Sequence, residues 1–483
     1  MTRPRILLFH RLDLTDLFGA LAAPLSAQVE VRHLAYSRAE MARLAEMGIG
    51  TDGRCFKEAI AARYPTVAVT PALLEEIDAL IVSETGGAFT LNSAIQSDRG
   101  FALLTYAEAL HLTATYYLYW TELIEEHDID FVLHEPCTLM FNFLPALILS
   151  RRGGKYLYNI MASGPKGTFN HLTMMGFDFT CPDLDRMLDG ISAGQIAPDL
   201  TAADAFLTEF RQSFEVFLAG QVGNRRPPWR HLASAFAKAL TLPIQRAGKD
   251  HVLDNIDYWQ LVKNPALERW RNLRSYRTFA FDRVITGERY FFYPLHLEPE
   301  AVVLYHGHGV YENQIKLVQN IAGQLPPGVM LYVKDHPHDH GYREAIDYHR
   351  LAAVPNIRIL DVDIPGKEVI LHAEGVITIT GTAGFEALLL RKQVYTFGKT
   401  FYSRAPGVCH LHHVRDLQAA VYAQRDEAPV SDEDLLPFVA AYLATIQTGL
   451  TDYFAGRASR YGIDLVHNAA DVAKSLLQSI AKL

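Results

Sequence analysis

The feature that most constrains the fold is an alternation of short apolar runs with helical patterns, which occurs once in each half of the 483-residue chain. The apolar runs predict strands over residues 5–9, 29–35, 79–83, 131–133, 156–158, 291–293, 302–304, 329–333, 357–360, 375–379 and 394–397. Strands that alternate with helices favour open, parallel sheets. The sequence therefore predicts an α/β protein with two Rossmann-like, doubly wound domains that face a cleft.

The segment between the two halves, residues 183–285, lacks strand-like runs and has mainly helical patterns. We therefore predict four segments: 1–182 as an N-terminal Rossmann-like acceptor domain, 183–285 as a helical, basic insertion, 286–430 as a C-terminal Rossmann-like nucleotide-sugar domain, and 431–483 as C-terminal helices.

The insertion is basic in an acidic chain. Residues 225–277 hold eleven Lys and Arg against four Asp and Glu, while the whole chain has a net charge of −9. The same stretch carries Trp229, Trp259 and Trp270. It is either a solvated helical insertion or a surface that faces an anionic glycolipid or the inner leaflet of the inner membrane.

The charge and the cysteines of the chain indicate which partners and which cellular location to expect. A chain with 45 basic and 54 acidic residues lacks the basic excess of nucleic-acid-binding proteins. Its four cysteines form no CxxC pair, which indicates a reducing compartment. The longest apolar runs, such as residues 143–149, fall short of the roughly 20 residues that cross a bilayer. We expect a cytoplasmic protein with peripheral contact at the inner membrane.

A candidate phosphate site follows the predicted strand over residues 375–379. The strand runs into a turn of small and hydroxyl residues at a helix start: Thr380, Gly381, Thr382 and Ala383. Free N–H groups at a helix start bind anions, and the two hydroxyl groups add donors. Glu386 lies about one turn into the helix, where a carboxylate can reach ribose hydroxyls. The alternative is a tight turn with Thr382 as the helix N-cap.

A second candidate motif follows the predicted strand over residues 329–333. It consists of Lys334, Asp335, His336 and Pro337. The proline holds the preceding backbone extended, which would fix His336 at the end of the strand. An imidazole there can hydrogen-bond a leaving phosphate or donate a proton to it. The alternative is a histidine that only caps a turn. We expect the two motifs to lie on consecutive strand ends and to form one pocket.

Histidines are dense in this half of the chain. They are His296, His306, His308, His336, His338 and His340. Their spacing resembles that of metal ligands, but no pattern of carboxylates or cysteines completes a coordination shell. We therefore predict neither a metal ion nor a cofactor.

The N-terminal half offers carboxylates for a general base or a nucleophile. Glu84 follows the predicted strand over residues 79–83, and Glu135 follows the strand over residues 131–133. Asp98 lies in a later loop. We predict Glu84 and Glu135 as the catalytic candidates, and the alternative for each is a loop residue or a helix cap.

Residues 289–402 resemble the bacterial capsule polysaccharide biosynthesis family, which includes Kdo transferases. The resemblance rests on residues 291–300, 334–337, 380–388 and 397–402. It implies a GT-B fold and a nucleotide-activated sugar donor. Arg391-Lys392-Gln393-Val394 stands where many relatives have Gly-Lys-Pro-Val.

Three site assignments follow from the resemblance. It implies that His336 contacts the nucleotide phosphate, that Thr380 and Thr382 bind the same phosphate, and that Glu386 binds the ribose.

We expect a metal-independent glycosyltransferase that moves Kdo or another CMP-activated acidic sugar from a nucleotide donor to a glycan or glycolipid acceptor in capsule or surface polysaccharide biosynthesis. Two alternatives remain open. A nucleotide-sugar epimerase of the same fold would fit the two motifs but not the basic insertion. A non-catalytic polysaccharide assembly or export protein would keep only the shape of the pocket.

Overall fold

We describe the protein from a computed structural model. The structure describes residues 3–51, 53–212, 249–257, 272, 276, 279–298, 302–311, 313–336, 343–425, 427–451 and 462–483. Most of the predicted basic segment, with its three tryptophans, lies outside these residues, and so does Pro337.

The chain divides into two compact units. Unit 1 contains residues 1–206 and 439–483, and unit 2 contains residues 207–438. The C-terminal residues from 439 therefore group with the N-terminal sheet, whereas the predicted segments treat the C-terminal helices separately.

Twelve named strands occur in the described residues: β1 (Arg5–His10), β2 (Glu30–Ala35), β3 (Phe131–Leu133), β4 (Lys155–Ala162), β5 (Asn170–Met175), β6 (Tyr290–Pro294), β7 (Met330–Lys334), β8 (Ile357–Leu360), β9 (Gly375–Thr378), β10 (Gln393–Thr396), β11 (Val408–His410) and β12 (Gln447–Thr448). The α-helices there are α1 (Leu14–Leu25), α2 (Arg38–Glu46), α3 (Phe56–Arg63), α4 (Pro71–Glu84), α5 (Leu91–Ser97), α6 (Tyr106–Glu126), α7 (Met140–Arg151), α8 (Pro182–Ser192), α9 (Leu200–Gln212), α10 (Gln314–Gln324), α11 (Ala345–Ala352), α12 (Gly366–His372), α13 (Thr382–Leu389), α14 (Leu417–Arg425), α15 (Asp432–Thr445) and α16 (Leu465–Ile480).

The sheet of unit 1 has the order β12-β5-β4-β3-β1-β2. Strands β2, β1, β3 and β4 are parallel, whereas β5 is antiparallel to β4 and β12 is antiparallel to β5. Helices α1 and α16 pack against each other beside this sheet. Their apolar side chains share one core cluster with Ile6 and Leu8 of β1, which explains why the C-terminal helix groups with the N-terminal sheet.

The sheet of unit 2 has the order β11-β10-β9-β6-β7-β8, and every paired neighbour is parallel. Its inner strands are buried on both faces, as expected for a parallel sheet that helices cover on each side. Because β6 lies between β9 and β7, the carboxyl ends of these three strands are neighbours. Ligands of open α/β sheets bind at such ends.

The predicted α/β class with two Rossmann-like units is confirmed, but two predicted strands are wrong. Residues 79–83 belong to helix α4, which begins after the N-cap Thr70 with Pro71 at its first position. A short apolar run does not distinguish a strand from the buried side of a helix, and the Thr-Pro start is the signal that does. Residues 302–304 belong to a short π-helix, Val302–His306.

Within the part of the chain that the structure describes, none of the helices combines the length and the apolar character that crossing a lipid bilayer requires.

The close spacing of β9 and β10 in unit 2 predicts a sensitive glycine. A Cβ on Gly375 would lie 2.6 Å from the carbonyl oxygen of Gln393 and 2.9 Å from Cε1 of Phe291. Gly375→Ala should therefore lower the free energy of unfolding by about 1–3 kcal/mol, because the backbone of β10 cannot move aside without losing sheet hydrogen bonds. Urea unfolding followed by circular dichroism measures the change.

Gly323→Ala is the matched control in the same unit. Gly323 lies in helix α10, and a Cβ there meets no heavy atom within 4 Å. Alanine is favoured over glycine in helices by roughly 1 kcal/mol, so this exchange should leave stability unchanged or raise it. Equal effects of the two exchanges would contradict the packing argument.

Candidate functional site

The candidate site lies at the carboxyl ends of β9, β6 and β7 in unit 2. The two predicted motifs follow β9 and β7, which are not neighbours in the sheet, because β6 separates them. Along the chain, β8 also lies between them. The expectation of consecutive strand ends is therefore wrong. The end of β6 contributes His296 to the space between the motifs.

Residues 380–383, which we call the donor turn, connect β9 to helix α13. Gly381 is the helix N-cap, and no side chain caps this helix start. The first N–H groups of a helix have no partner within the helix, so those of Thr382 and Ala383 remain for a ligand. Thr382 is exposed, and Ala383 is partly exposed. The interpretation of Thr382 as an N-cap does not hold, since Thr382 is the first helical residue.

The hydroxyl of Thr380 is the most unusual group of the donor turn. Thr380 is 5% exposed, and its Oγ1 is buried without a hydrogen-bond partner among the described residues. Its methyl group packs against Gly398, where a Cβ would lie 2.4 Å from Thr380 Cγ2. An unsatisfied buried hydroxyl costs about 1–3 kcal/mol, and a bound ligand would remove this cost.

Glu386 lies on helix α13, one turn beyond the donor turn, and is partly buried. Burial raises the pKa of its carboxyl group, and the positive charges of Lys367 and Lys334 oppose that shift. Lys334 ends β7 and is buried, with its Nζ 3.5 Å from the carbonyl oxygen of Val362. The charge of Lys334, from one predicted motif, therefore acts on the carboxyl group of Glu386, from the other.

The side chain of Asp335 is buried and bonds to other protein groups. Its carboxylate is 2% exposed and accepts hydrogen bonds from Nε of Arg343, at 3.2 Å, and from the hydroxyl of Tyr348, at 2.5 Å. Arg343 also binds Glu298, with 3.0 Å between Nη1 and Oε2. These contacts fix the chain that leaves β7.

His336 follows Asp335 and is partly exposed. Its backbone N–H donates to Oδ1 of Asp335 over 3.1 Å. The carboxylate therefore fixes the backbone of His336, a role that the sequence assigned to Pro337, which lies outside the described residues.

His296 is the residue that the sequence analysis placed only among the metal candidates. It is 7% exposed, and its Nε2 accepts the backbone N–H of Ile379 over 3.2 Å, next to the Thr378 hydroxyl at 3.1 Å. Burial, together with the charges of His336 and Arg343, lowers the pKa of His296 to about 3. The signal that could have identified it is its position directly after the first apolar strand of the second half.

The other described histidines of this group, His306 and His308, belong to no cluster of possible metal ligands. His306 is 1% exposed, and burial with the charge of His308 lowers its pKa to about 3. His338 and His340 lie outside the described residues. Among the residues that are described, no group of three or more His, Cys, Asp or Glu side chains is arranged to hold a metal ion.

Glu135 of unit 1 lies directly beyond β3, at the carboxyl end where the sequence analysis placed it. It is 3% exposed and forms an ion pair with Arg11, which follows β1. Its neighbour His134 is 3.7 Å away, measured from Nε2 to Glu135 Oε1. Burial lowers the pKa of His134 to about 4, although the charge of Glu135 opposes the shift.

Glu84 does not lie at a strand end. It is the last residue of helix α4, with its Oε1 3.9 Å from Nε of Arg151. The error follows from the wrong strand over residues 79–83. The structure therefore does not bring Glu84 to the strand ends that hold Glu135.

Asp98 is a second buried carboxyl group of unit 1. Its two oxygens accept the backbone N–H groups of Met140, at 2.5 Å, and Gly100, at 2.7 Å. Burial raises the pKa of Asp98 to about 6, and these N–H groups oppose the shift. Asp98 thus binds the N-terminal end of helix α7.

Residues 253–445 match the model of a family described as capsule polysaccharide biosynthesis protein. The match contains the whole segment of residues 289–402, so the predicted resemblance is confirmed for this part of the chain. A comparison with curated proteins finds no match.

Several solved structures match this chain over most of its length at low sequence identity. UDP-GlcNAc 2-epimerase of Methanocaldococcus jannaschii, solved with UDP-GlcNAc and UDP, is 12% identical, covering 92% of this chain and 98% of its own, with a TM-score of 0.28. The β-Kdo 2,7 transferase KpsC of Thermosulfurimonas dismutans is 14% identical, covering 75% and 89%, with a TM-score of 0.33. UDP-GlcNAc 2-epimerase of Neisseria meningitidis is 11% identical, covering 99% and 100%, with a TM-score of 0.26. At TM-scores this low, the likenesses carry no argument about activity.

The buried network around Asp335 predicts a large loss of stability when its cation is removed. Arg343→Met keeps an apolar side chain of similar length but removes the guanidinium group that pairs with the carboxylates of Asp335 and Glu298. The free energy of unfolding should fall by about 3–5 kcal/mol. Urea unfolding measures the loss.

Arg350→Met in the same unit is the control. The Arg350 side chain is 60% exposed and pairs with Asp347 one helical turn away. Removing such a surface pair costs at most about 0.5 kcal/mol. If Arg343→Met unfolds at the same urea concentration as this control, the buried network does not stabilise unit 2.

Proposed function

We propose that the protein is a glycosyltransferase of capsule or surface polysaccharide biosynthesis, which transfers Kdo or another CMP-activated acidic sugar to a glycan or glycolipid acceptor. In this reaction the bond between the anomeric carbon and the donor phosphate breaks, and the electron pair stays on the phosphate. The acceptor hydroxyl forms the new bond and loses its proton to a base. Unit 2 would bind the donor, and unit 1 would bind the acceptor.

The observation that carries the proposal is the buried Thr380 hydroxyl without a partner at an uncapped helix start. Nothing among the described protein groups satisfies this hydroxyl, and the N–H groups of Thr382 and Ala383 follow it along the same turn. Such a set of donors is suited to a phosphate oxygen. The family match over residues 253–445 supports the same assignment, since it includes the donor turn.

His336 and Glu386 would complete the donor site. His336 is partly exposed at the end of β7, where its imidazole can stabilise or protonate the leaving phosphate. Glu386 is one helical turn from the donor turn and would bind ribose hydroxyls. Lys334 would hold Glu386 in place through the attraction between their charges.

Glu135 is the carboxylate that we propose as the base or nucleophile of the acceptor half. It lies at the carboxyl end of β3, as ligand-binding residues of open α/β sheets do. Its carboxylate is buried and forms an ion pair with Arg11, which follows the neighbouring strand β1. Glu84 lacks this placement at a strand end.

A cytoplasmic location with peripheral contact at the inner membrane belongs to the same proposal. The location is based on the four cysteines that form no CxxC pair, and the membrane contact on the charge of residues 225–277, most of which lie outside the described part of the chain.

Loss of the Thr380 hydroxyl should weaken nucleotide binding. Thr380→Val keeps the shape of the side chain and removes a hydrogen bond to a charged phosphate, which is worth about 1.5–3 kcal/mol. The dissociation constant should rise roughly ten- to hundredfold. A thermal-shift panel of CMP, UDP, GDP and CDP identifies the nucleotide, and calorimetry then measures its affinity.

Thr113→Val provides the same exchange at a buried site in unit 1, where the hydroxyl bonds to Ala109 within helix α6. It should leave nucleotide affinity unchanged. Binding by Thr380→Val that equals that of the wild type would refute the phosphate site. Failure of all four nucleotides to bind the wild type would support the non-catalytic alternative.

His336→Ala should abolish sugar transfer and leave the melting temperature close to that of the wild type, because the side chain is partly exposed. His467→Ala, whose side chain is 92% exposed on unit 1, is the control and should retain full activity. Transfer is measured with the donor and a glycan acceptor. Full transfer by the His336 variant would refute its role, and turnover of the nucleotide sugar without any acceptor would favour the epimerase.

A further inference from the structure

His296 occupies the gap between the two predicted motifs. It follows β6, the strand that separates β9 from β7 in the sheet. Gln314 holds its backbone on both sides, because the N–H of His296 donates to Gln314 Oε1 over 2.8 Å and the Gln314 amide donates to the His296 carbonyl over 3.0 Å. The position of the imidazole is therefore determined by the fold before any ligand binds.

The contacts of His296 Nε2 determine where the ring carries its proton. The backbone N–H of Ile379 donates to Nε2, so this nitrogen must offer a lone pair. The Thr378 hydroxyl accepts the N–H of Gly381 over 3.0 Å and can donate its own proton to the same nitrogen. In the neutral ring, the proton then lies on Nδ1, which makes Nδ1 a donor.

The Nδ1 atom of His296 lies beside the donor turn. A Cβ built on Gly381 would be 3.4 Å from this nitrogen and 2.7 Å from Cε1 of the same ring. Among the described residues, Nδ1 has no hydrogen-bond partner. Glycine at position 381 thus allows the ring to approach the turn that also contains the buried hydroxyl of Thr380.

We propose that His296 is a binding residue of the donor site, whose Nδ1–H donates a hydrogen bond to the phosphate held by the donor turn. The inference rests on the proposed function and adds a third strand end to the site. It also assigns different roles to the two histidines. His296 is a buried, neutral donor with a fixed direction, whereas His336 is a partly exposed imidazole. Gln314 is a positioning residue that acts through His296.

Two substitutions separate binding from a purely structural role. His296→Gln places an amide near the Nε2 position, where its oxygen can accept the Ile379 N–H, but it removes the donor at Nδ1. His296→Asn places an amide near the Nδ1 position and loses the acceptor for Ile379. A binding role predicts that the Gln variant loses more nucleotide affinity, and a structural role predicts that the Asn variant loses more.

The experiment compares the nucleotide that binds best with its phosphate-free nucleoside, for example CMP with cytidine. We expect His296→Gln to lower nucleotide affinity about tenfold and to leave nucleoside affinity unchanged, while His296→Asn keeps nucleotide affinity closer to that of the wild type. Nucleotide binding by His296→Gln that equals that of the wild type would overturn the inference. Equal losses of nucleotide and nucleoside affinity would also overturn it.

The proposed function and the role of His296 fail in different ways. If no nucleotide binds the wild type, the donor site itself is wrong. If the wild type binds and only the His296 variants behave unexpectedly, the role of His296 is wrong. Should His296→Gln not fold, Gly381→Ala keeps the histidine and pushes its ring away from the turn. This variant should lose nucleotide affinity selectively, and wild-type binding by it would overturn the inference.

Discussion

The parallel pairing of β6 with both β9 and β7 is the constraint on which the candidate site depends. Parallel strands end at the same edge of a sheet, so three segments that are distant in sequence supply side chains to one place. The approach of the strands is tight, because Gly375 leaves no space for a side chain beside β10 and Gly381 leaves none beside His296. Both glycines are therefore required by packing at a backbone or a ring, not by the flexibility of a loop.

The buried polar network behind the strand ends explains why the site can be rigid. Arg343 connects Asp335, which follows β7, with Glu298, which follows β6, and Gln314 bonds to both Glu298 and the backbone of His296. Each carboxylate is compensated by a cation or a donor, so the network avoids the cost of an unpaired buried charge. The same network removes Asp335 from the candidate ligands. The motif of residues 334–337 therefore combines a supporting carboxylate with one accessible imidazole.

The fold class and most strands could be predicted from the sequence, whereas features that depend on contacts between distant residues could not. Strands over residues 131–133 and 357–360 were predicted with the bounds that the structure has, because buried parallel strands are short apolar runs between turns. Residues 79–83 show the same local pattern inside a helix, and this error placed Glu84 at a strand end. The order of strands in a sheet depends on long-range packing, so neither the separation of the two motifs by β6 nor the position of His296 between them could be read from spacing. The antiparallel strand β5 was missed because polar residues interrupt its apolar ones, so that it contains no apolar run of the kind used to predict strands.

The distribution of charge around the candidate site bears on how it would recognise a phosphate. At the strand ends of unit 2, Arg343 pairs with Asp335 and Glu298, and the charges of Lys334 and Lys367 act on Glu386. The groups that we propose to bind the phosphate are instead neutral donors, namely helix N–H groups, the Thr380 hydroxyl and the Nδ1–H of His296. Neutral donors with fixed directions recognise an anion by its geometry and need no reorganisation when charge develops on a leaving phosphate. The unsatisfied Thr380 hydroxyl lowers the stability of the folded chain, and a bound phosphate would supply the missing hydrogen bond.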